Sequence, residues 1–321
     1  MKKYTIGVDL GGTTITAGLV DAEHKIIDTK TCATNLPRPE HEVEEAIAGL
    51  CTGLLAKHGL TTADLNWVGI GTPGSVNSET GVVEFNANFG YTDWALRASM
   101  EKLLGCTVYI ENDANAAAYG EYIAGAAKGA KYAVAITLGT GIGGGIIING
   151  KIFAGFNHAG AEVGHIVVEK GGRPCMCGRC GCWEKYASSR ALAEDTKAAM
   201  QAEPDNMMWG LVKGDLNRVS AKTAFDALHA GDELAKAVVA NWLEYVACGI
   251  TDIINIFQPE IVCIGGGVSA QGETLLAPIR AYVDREEYAR NGKRRAVIKA
   301  AELKNDAGVL GAAALGEQDL I

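Results

Sequence analysis

The 321-residue sequence has no Pro/Ser-rich linker, no low-complexity tract and no short tandem repeat, so composition alone does not cut it into modules. It is short of positive charge: 29 Lys and Arg face 38 Asp and Glu, a formal net charge of −9. That balance argues against a general binder of nucleic acid or anionic membrane, while a local basic pocket for phosphates stays open. No apolar run is long enough to span a bilayer. No secretory leader is read either, because in MKKYTIGVDL the apolar stretch breaks at Asp9 before an h-region forms. The expectation is a cytoplasmic protein. There thiols stay reduced, and dense cysteines point to metal more than to disulfides.

What is present is a soluble globular balance, 48% hydrophobic and 21% charged. The length suits one large or two ordinary domains. Strands are expected at 4–9, 14–20, 25–33, 67–71, 107–110, 132–138, 145–148, 260–264 and 296–300. Helices are expected at 40–58, 114–124, 185–200, 222–230, 233–257, 275–288 and 307–316. The first helix places Val43, Ile47, Leu50 and Leu54 on one face, and 233–257 repeats Val238, Trp242, Val246, Ile253 and Phe257 at helical spacing. Residues 201–220 carry weak signals. Strand, glycine turn and strand recur near residues 11 and 141, a loose duplication. The mixture predicts an α/β chain of two lobes with a cleft between them.

Many of the 41 glycines fall at strand ends. VDLGGTTITAGLVD (8–21) puts Asp9 before Gly11 and Gly12, with Thr13 and Thr14 beyond. Bare backbone N–H groups and threonine hydroxyls suit an anion, and Asp9 suits Mg²⁺ or phosphate positioning. The turn joins two strands, so it is neither a P-loop nor a dinucleotide fingerprint; an ordinary hairpin is the alternative. LGTGIGGGII (138–147) repeats the chemistry with Thr140 and Gly141, against tight packing as the plain alternative. IGGGVS (264–269) offers Gly265, Gly266 and Gly267 as backbone for a flat base or ribose, or for packing. In ENDANAAAYGE (111–121), Asp113 at a strand–helix junction can accept a proton from an alcohol, or Asn112 or Asp113 can simply cap the helix. The turn GTPGSV (71–76), with Gly74, and the asparagines Asn86 and Asn88 could brace a ring of hydroxyls. Glu162, His165 and Glu184 flank a cysteine cluster; singly each reads equally as a solvated or ion-paired group.

That cluster is CMCGRCGCWE (175–184), with His165 ten residues upstream. C-x-C spacing disfavours an unstrained disulfide. Cys177–Cys180 has redox spacing, but its flanks fit poorly. Tetrahedral Zn²⁺ held by three thiolates and an imidazole fits best, and spacing does not exclude Cys180 from the set. Cys32, Cys51, Cys106, Cys248 and Cys263 sit in apolar contexts and read as buried thiols.

Together these motifs resemble the sugar kinase, heat-shock protein 70 and actin superfamily. Within it the chain resembles the ROK family of repressors, open reading frames and kinases, its bacterial glucokinases in particular, from Gly7 to about Gly311. The resemblance rests on NDANAAA, both glycine turns and the full pattern C-x-C-G-x-x-G-C-x-E. It implies a two-lobed actin-like ATPase fold of duplicated ribonuclease H-like domains with an interlobe active-site cleft. The expected lobes are 1–118 plus 305–321, and 119–304. It further implies an ATP-dependent hexose kinase, most simply a glucokinase, using Mg²⁺ with ATP. Asp113 is the implied base; Gly74, Asn88, Asn112, Glu162, His165 and Glu184 are implied sugar contacts. The implied zinc ligands are His165, Cys175, Cys177 and Cys182, a closed and therefore structural shell, with Cys180 at a variable position. Phe89 departs from the commoner Asn-Leu-Gly pattern and bears on the substituents tolerated. A homodimer or higher homo-oligomer is implied. Rival readings are a kinase for N-acetylmannosamine, N-acetylglucosamine, fructose, allose or a β-glucoside, or a sugar-binding protein without catalysis. A sugar-responsive repressor is a further rival, disfavoured by a first hairpin that begins at residue 4 with no helix-turn-helix before it.

Overall fold

The computed structural model describes residues 3–320. Three strands open the chain: β1 (Tyr4–Leu10), β2 (Thr14–Asp21) and β3 (Ile26–Ala33), followed by helix α1 (Glu40–Lys57) and β4 (Leu65–Thr72). A small hairpin sheet comes next, with β5 (Ser75–Asn77), β6 (Val82–Asn86) and β7 (Tyr91–Trp94), then α2 (Leu96–Leu104), β8 (Val108–Asn112) and α3 (Asp113–Ile123). The second half holds β9 (Tyr132–Leu138), β10 (Ile142–Ile148), β11 (Lys151–Ile152), α4 (Glu184–Ala187), α5 (Ser189–Ala202), α6 (Met208–Leu211), α7 (Ala221–His229) and α8 (Glu233–Phe257). The chain ends with β12 (Ile261–Gly265), α9 (Glu273–Glu286), β13 (Val297–Ala300) and α10 (Ala307–Ala313).

Two five-stranded sheets share one order of strands. The first runs β3-β2-β1-β4-β8 and the second β11-β10-β9-β12-β13, each reading third, second, first, fourth, fifth along the chain. In the first, β1 is antiparallel to β2 and parallel to β4, and β4 is parallel to β8. The chain divides into two compact units: residues 1–135, 145–161 and 301–321 form unit 1, and residues 136–144 and 162–300 form unit 2.

The helical period of α1 buries Val43, Ile47, Leu50 and Leu54 against Ile6, Val8, Ile15 and Val68. In α8 the buried stripe keeps Trp242, Val246 and Ile253 of the expected one. It carries Val239, Trp242, Val246, Ile250 and Ile253, while Val238 and Phe257 are half-buried. By length and composition α8 could cross a membrane, but 56% of its most apolar window is buried, as in a core helix. The expected helix 185–200 is broken at Ser188, which is extended (ψ 163°) and caps α5 by accepting from Ala191 N–H at 3.1 Å. The weak stretch 201–220 folds around a satellite core of Met200, Met208, Val212 and Val219. Cys51 and Cys263 are buried, whereas Cys32, Cys106 and Cys248 are only half-buried.

Several glycines exist to let α10 sit directly on unit 1. A β-carbon on Gly7 of β1 would lie 1.9 Å from the Val309 carbonyl oxygen, and one on Gly69 of β4 would lie 1.8 Å from that of Ala312. On the other side a β-carbon on Gly311 would lie 1.6 Å from the Ala116 carbonyl oxygen of α3. The closing helix is thus seated by backbone contact against the strands and helix that carry Asp9 and Asp113.

Candidate active site

In unit 1 the strand–turn–strand motif ends β1 at Leu10 and starts β2 at Thr14. Gly11 N–H donates to the Thr14 carbonyl at 3.0 Å, closing the turn. Thr34, fully buried at the end of β3, braces it from behind: its hydroxyl donates to the Gly11 carbonyl at 2.7 Å and its N–H to that of Thr13 at 2.9 Å. Neither Gly11 nor Gly12 uses left-handed backbone. Their role is bareness, and a β-carbon on Gly12 would meet nothing within 4 Å. Gly12, Thr13 and Thr14 are exposed, as an anion-binding turn requires.

Asp9 and Asp113 lie close enough to repel. Burial first and the Asp113 charge second push the Asp9 carboxyl up to about 6. Burial also raises Asp113, against the backbone N–H of Ala114, which favours its charged form. The choice of cap is resolved by geometry. Asn112 Oδ1 accepts from Ala114 N–H at 2.9 Å and Asn115 N–H at 3.2 Å, and its Nδ2 donates to the Gly74 carbonyl at 3.1 Å. Asp113 is left with its Oδ1 on Ala114 N–H at 2.9 Å. Gly74 has a φ of 107°, and a β-carbon there would lie 2.4 Å from the Phe85 carbonyl, so only glycine permits this bracing turn.

One buried acid escaped sequence reading. Glu111 is 4% exposed; it accepts from Asn112 N–H at 2.8 Å and Asn115 Nδ2 at 3.1 Å, and its carboxyl is raised by burial. It locks the β8–α3 junction behind Asp113, and as a strand-end glutamate it carries no sequence signal.

The asparagine loop separates the two candidates of FNANFGYTDW. Asn86 is fully buried and consumed: Nδ2 donates to the Pro73 carbonyl at 2.7 Å, and Oδ1 accepts from Asn88 and Phe89 N–H at 3.1 and 3.2 Å. Asn88 is exposed at the tip that Asn86 builds. Phe89 is a core residue, 6% exposed, edge-on to Tyr91 with centroids 5.5 Å apart and tilted against Trp94.

In unit 2 the turn is tighter than expected. β10 begins at Ile142, leaving Gly139–Gly141 as the turn. Gly145 lies within the strand, where its missing β-carbon would stand 2.4 Å from Ala118 of α3. The Gly139 carbonyl accepts from both the N–H and the hydroxyl of Ser189, at 2.9 and 2.6 Å. Glu184 Oε2 accepts from Ile142 N–H at 2.9 Å and lies where a β-carbon of Gly141 would be. Glu184 therefore supports the turn with one oxygen and retains the other. Gly266, at φ 88°, packs on Leu138, where a β-carbon would lie 2.3 Å from the carbonyl; Gly267 is exposed with nothing within 4 Å.

Glu162 is exposed, just before the short 3-10 turn Val163–His165. Gly164 presses that turn onto β10, its absent β-carbon 2.3 Å from the Ile142 carbonyl. His165, Cys175, Cys177 and Cys182 follow as a group, their ligand atoms all within 4.8 Å of one another. His165 Nδ1 is 3.7 Å from Cys175 Sγ, and Cys177 Sγ is 3.5 Å from Cys182 Sγ. Cys180 is exposed and outside the group. Short backbone bonds cage the loop, Cys175 N–H to the Arg179 carbonyl at 2.8 Å and Gly181 N–H to that of Arg173 at 2.8 Å. Burial, then the neighbouring thiols, push Cys182 up to about 12. Cys177 shifts the other way, lowered first by the backbone N–H of Arg179. Three close thiols with an imidazole are a donor set that suits a soft divalent cation.

Comparison with known proteins agrees with these motifs. The model of the ROK family matches residues 5–319. The glucokinase of Thermotoga maritima is 40% identical over 318 residues, 98% of this chain and 97% of that one. The glucokinase of Streptomyces coelicolor is 38% identical over 316 residues, 98% of each. A ROK family glucokinase from Streptomyces griseus, solved in complex with glucose and AMPPNP, is 39% identical and superposes with a TM-score of 0.79 over 98% of this chain and 99% of that one. The chain belongs to the ROK family.

Proposed function

We propose that this chain is an ATP-dependent hexose kinase with D-glucose as substrate, giving glucose 6-phosphate and ADP. The observation that carries the reading is the division of labour at the β8–α3 junction. Asn112 caps the helix, and Asp113 is left half-buried beside Asp9. Relatives that are glucokinases, one of them with bound glucose and AMPPNP, support the choice of sugar and donor.

In this reading Asp113 takes the proton of the 6-hydroxyl as the hydroxyl oxygen bonds the γ-phosphorus. The bond from that phosphorus to the β,γ-bridging oxygen breaks, and ADP leaves with the electron pair. Thr13, Thr14, Thr140 and the bare backbone of Gly11, Gly12 and Gly141 stabilise phosphate charge. Gly265, Gly266 and Gly267 offer flat backbone to the base and ribose. Asn88, Glu162, His165 and Glu184 bind sugar hydroxyls, while Asn112 and Gly74 hold the Asp113 loop in register.

Mg²⁺, when bound, neutralises phosphate charge. Asp9 is the residue that would hold it, since a carboxyl pushed up to about 6 beside another acid is relieved by a cation. His165, Cys175, Cys177 and Cys182 would hold Zn²⁺ in a closed shell that fixes the loop ahead of Glu184. The shared strand order supports duplicated ribonuclease H-like halves. Likeness to bacterial glucokinases of the ROK family supports a cytoplasmic setting. The reading also carries a homodimer, which light scattering of the purified chain tests. The decisive assay is coupled ADP release over a hexose panel. Glucose-dependent turnover that Asp113→Ala abolishes is expected; turnover unchanged by that substitution overturns the reading.

A further inference from the structure

A cavity of about 480 Å³ lies in unit 1, a size suited to a small molecule. It opens at the start of β1 and β4, around Tyr4, Thr5, Asn66 and Trp67. Asp9 lies at the other end of β1, five residue steps from Tyr4 or about 16 Å of strand, and Asp113 follows the corresponding end of β8, which is parallel to β4. The cavity is therefore distinct from the phosphate turn and the candidate base.

Its lining has the parts of a recognition site. Tyr119 is part of the cavity wall and fully buried, and its hydroxyl has no hydrogen-bond partner among the described residues. A buried unsatisfied hydroxyl is costly and rare unless something binds it. Burial, then Glu317 and Tyr122, hold that phenol protonated, a standing donor. Two carboxylates are half-committed. Asp21 spends Oδ1 on the N–H groups of Glu23 and Lys25 at 3.0 and 2.9 Å, and Glu317 spends Oε1 on His24 at 2.7 Å. One oxygen of each remains as an acceptor. Aromatic surface comes from Tyr4, Trp67 and Tyr122, the last stacked on Tyr119 with centroids 5.4 Å apart. Both signs of charge line the cavity, Lys3 against Asp21 and Glu317, so a strong anion is not selected.

We propose that this cavity is a second carbohydrate site, binding a neutral polyhydroxylated ring whose hydroxyls meet Asp21, Glu317 and Tyr119 and whose C–H face lies on the aromatic side chains. Carboxylate acceptors beside aromatic faces, with one buried hydroxyl donor, match the two-sided chemistry of a sugar ring. The inference goes beyond the kinase reading and does not depend on it.

Equilibrium dialysis of the full chain with radiolabelled D-glucose and with maltose tests it, using ethanolamine as a cationic control. The variants are Tyr119→Phe, which removes only the unpartnered hydroxyl, and Ala22→Trp, which fills the cavity from its exposed rim. The expected result is one more sugar bound per wild-type chain than per Ala22→Trp chain. Tyr119→Phe should weaken that added class about tenfold, the scale of one lost hydrogen bond. Equal stoichiometry in all three proteins overturns the proposal, and so does a cavity that takes ethanolamine in place of sugar. Turnover is measured on the same samples. Its absence throughout counts against the kinase, and the stoichiometric difference still decides the cavity.

Discussion

The two glycine turns, Leu10–Thr14 in unit 1 and Leu138–Ile142 in unit 2, have similar composition and join the first and second strands of sheets with the same strand order. Their supports differ. The first is braced by a neutral residue, Thr34, and its acids, Asp9 and Asp113, take no part in the brace and are raised in pKa. The second is braced by an acid, Glu184, together with Ser189, and the strain there falls on a thiol cluster instead. Unit 1 thus holds carboxylates available for chemistry. Unit 2 commits one carboxylate oxygen to shape and gathers His165 and three thiols into one candidate metal group.

The largest effect should come from removing the candidate base. Asp113→Asn is expected to lower kcat by about 10²- to 10⁴-fold, the range for loss of a general base, with little change in thermal stability because the cap is on Asn112. In the wild type, activity requires the ionised carboxylate. Since Asp113 is raised, kcat/KM should fall on acidification at a pH above the ordinary carboxylate range. An acid limb unchanged when residual activity of Asp113→Asn is profiled would assign it elsewhere.

Asp9→Asn comes next and separates function from stability. The folded state raises this carboxyl from 3.8 to about 6, so it binds protons more tightly than the unfolded chain. Its contribution is favourable below 3.8 and is lost as pH rises through about 6. Above that, the ionised group costs up to about 3 kcal/mol, the equivalent of about two pH units. The variant should therefore be more stable than wild type at pH 8 and equal to it near pH 3.5, while needing more Mg²⁺ for turnover. Calorimetry at the two pH values checks the sign.

In unit 2 the corresponding test is metal removal. Chelation, or Cys182→Ser, should empty the zinc site, lower the melting temperature and raise the KM for sugar about tenfold, because Glu184 leaves the same loop. Zinc content and KM on one sample decide it; full activity without zinc would detach the cluster from the site.

Short-range chemistry was legible in the sequence: Asp9 with its glycines and threonines, the His165 and cysteine spacing, the helical stripe of α1. What escaped was set by distance or by competition. Asn112 and Asp113 can both cap a helix, and only the packing of Gly74 against Asn112 assigns the cap. The bond between Glu184 and Ile142 N–H spans 42 positions. The β5–β7 sheet went unread because its strands run only three to five residues, too few for a period to show. Phe89 looked like a pocket residue and is a core one, since the buried Asn86 turns the loop over it. The glycines of the phosphate turns supply the bare backbone expected of them, and Gly11, Gly12, Gly139 and Gly141 do so without left-handed φ.

The smallest effects should come from the braces themselves, and they test the comparison most directly. Glu184→Gln keeps an oxygen to accept from Ile142 N–H and loses the charge, whereas Glu184→Ala leaves that N–H unpaired at about 1–3 kcal/mol. If the carboxylate serves both turn and sugar, Gln should raise the KM for sugar alone, and Ala should raise the KM for ATP as well. Thr34→Val removes one hydroxyl bond to the Gly11 carbonyl but keeps the backbone bond to Thr13, for about 1 kcal/mol. Its expected signature is a rise of about two- to threefold in the KM for ATP, with the KM for sugar and kcat unchanged, because no acid depends on this brace. A change in kcat would mean that Thr34 also sets the spacing of Asp9 from Asp113, and the neutral turn would then be as tied to the chemistry as the charged one.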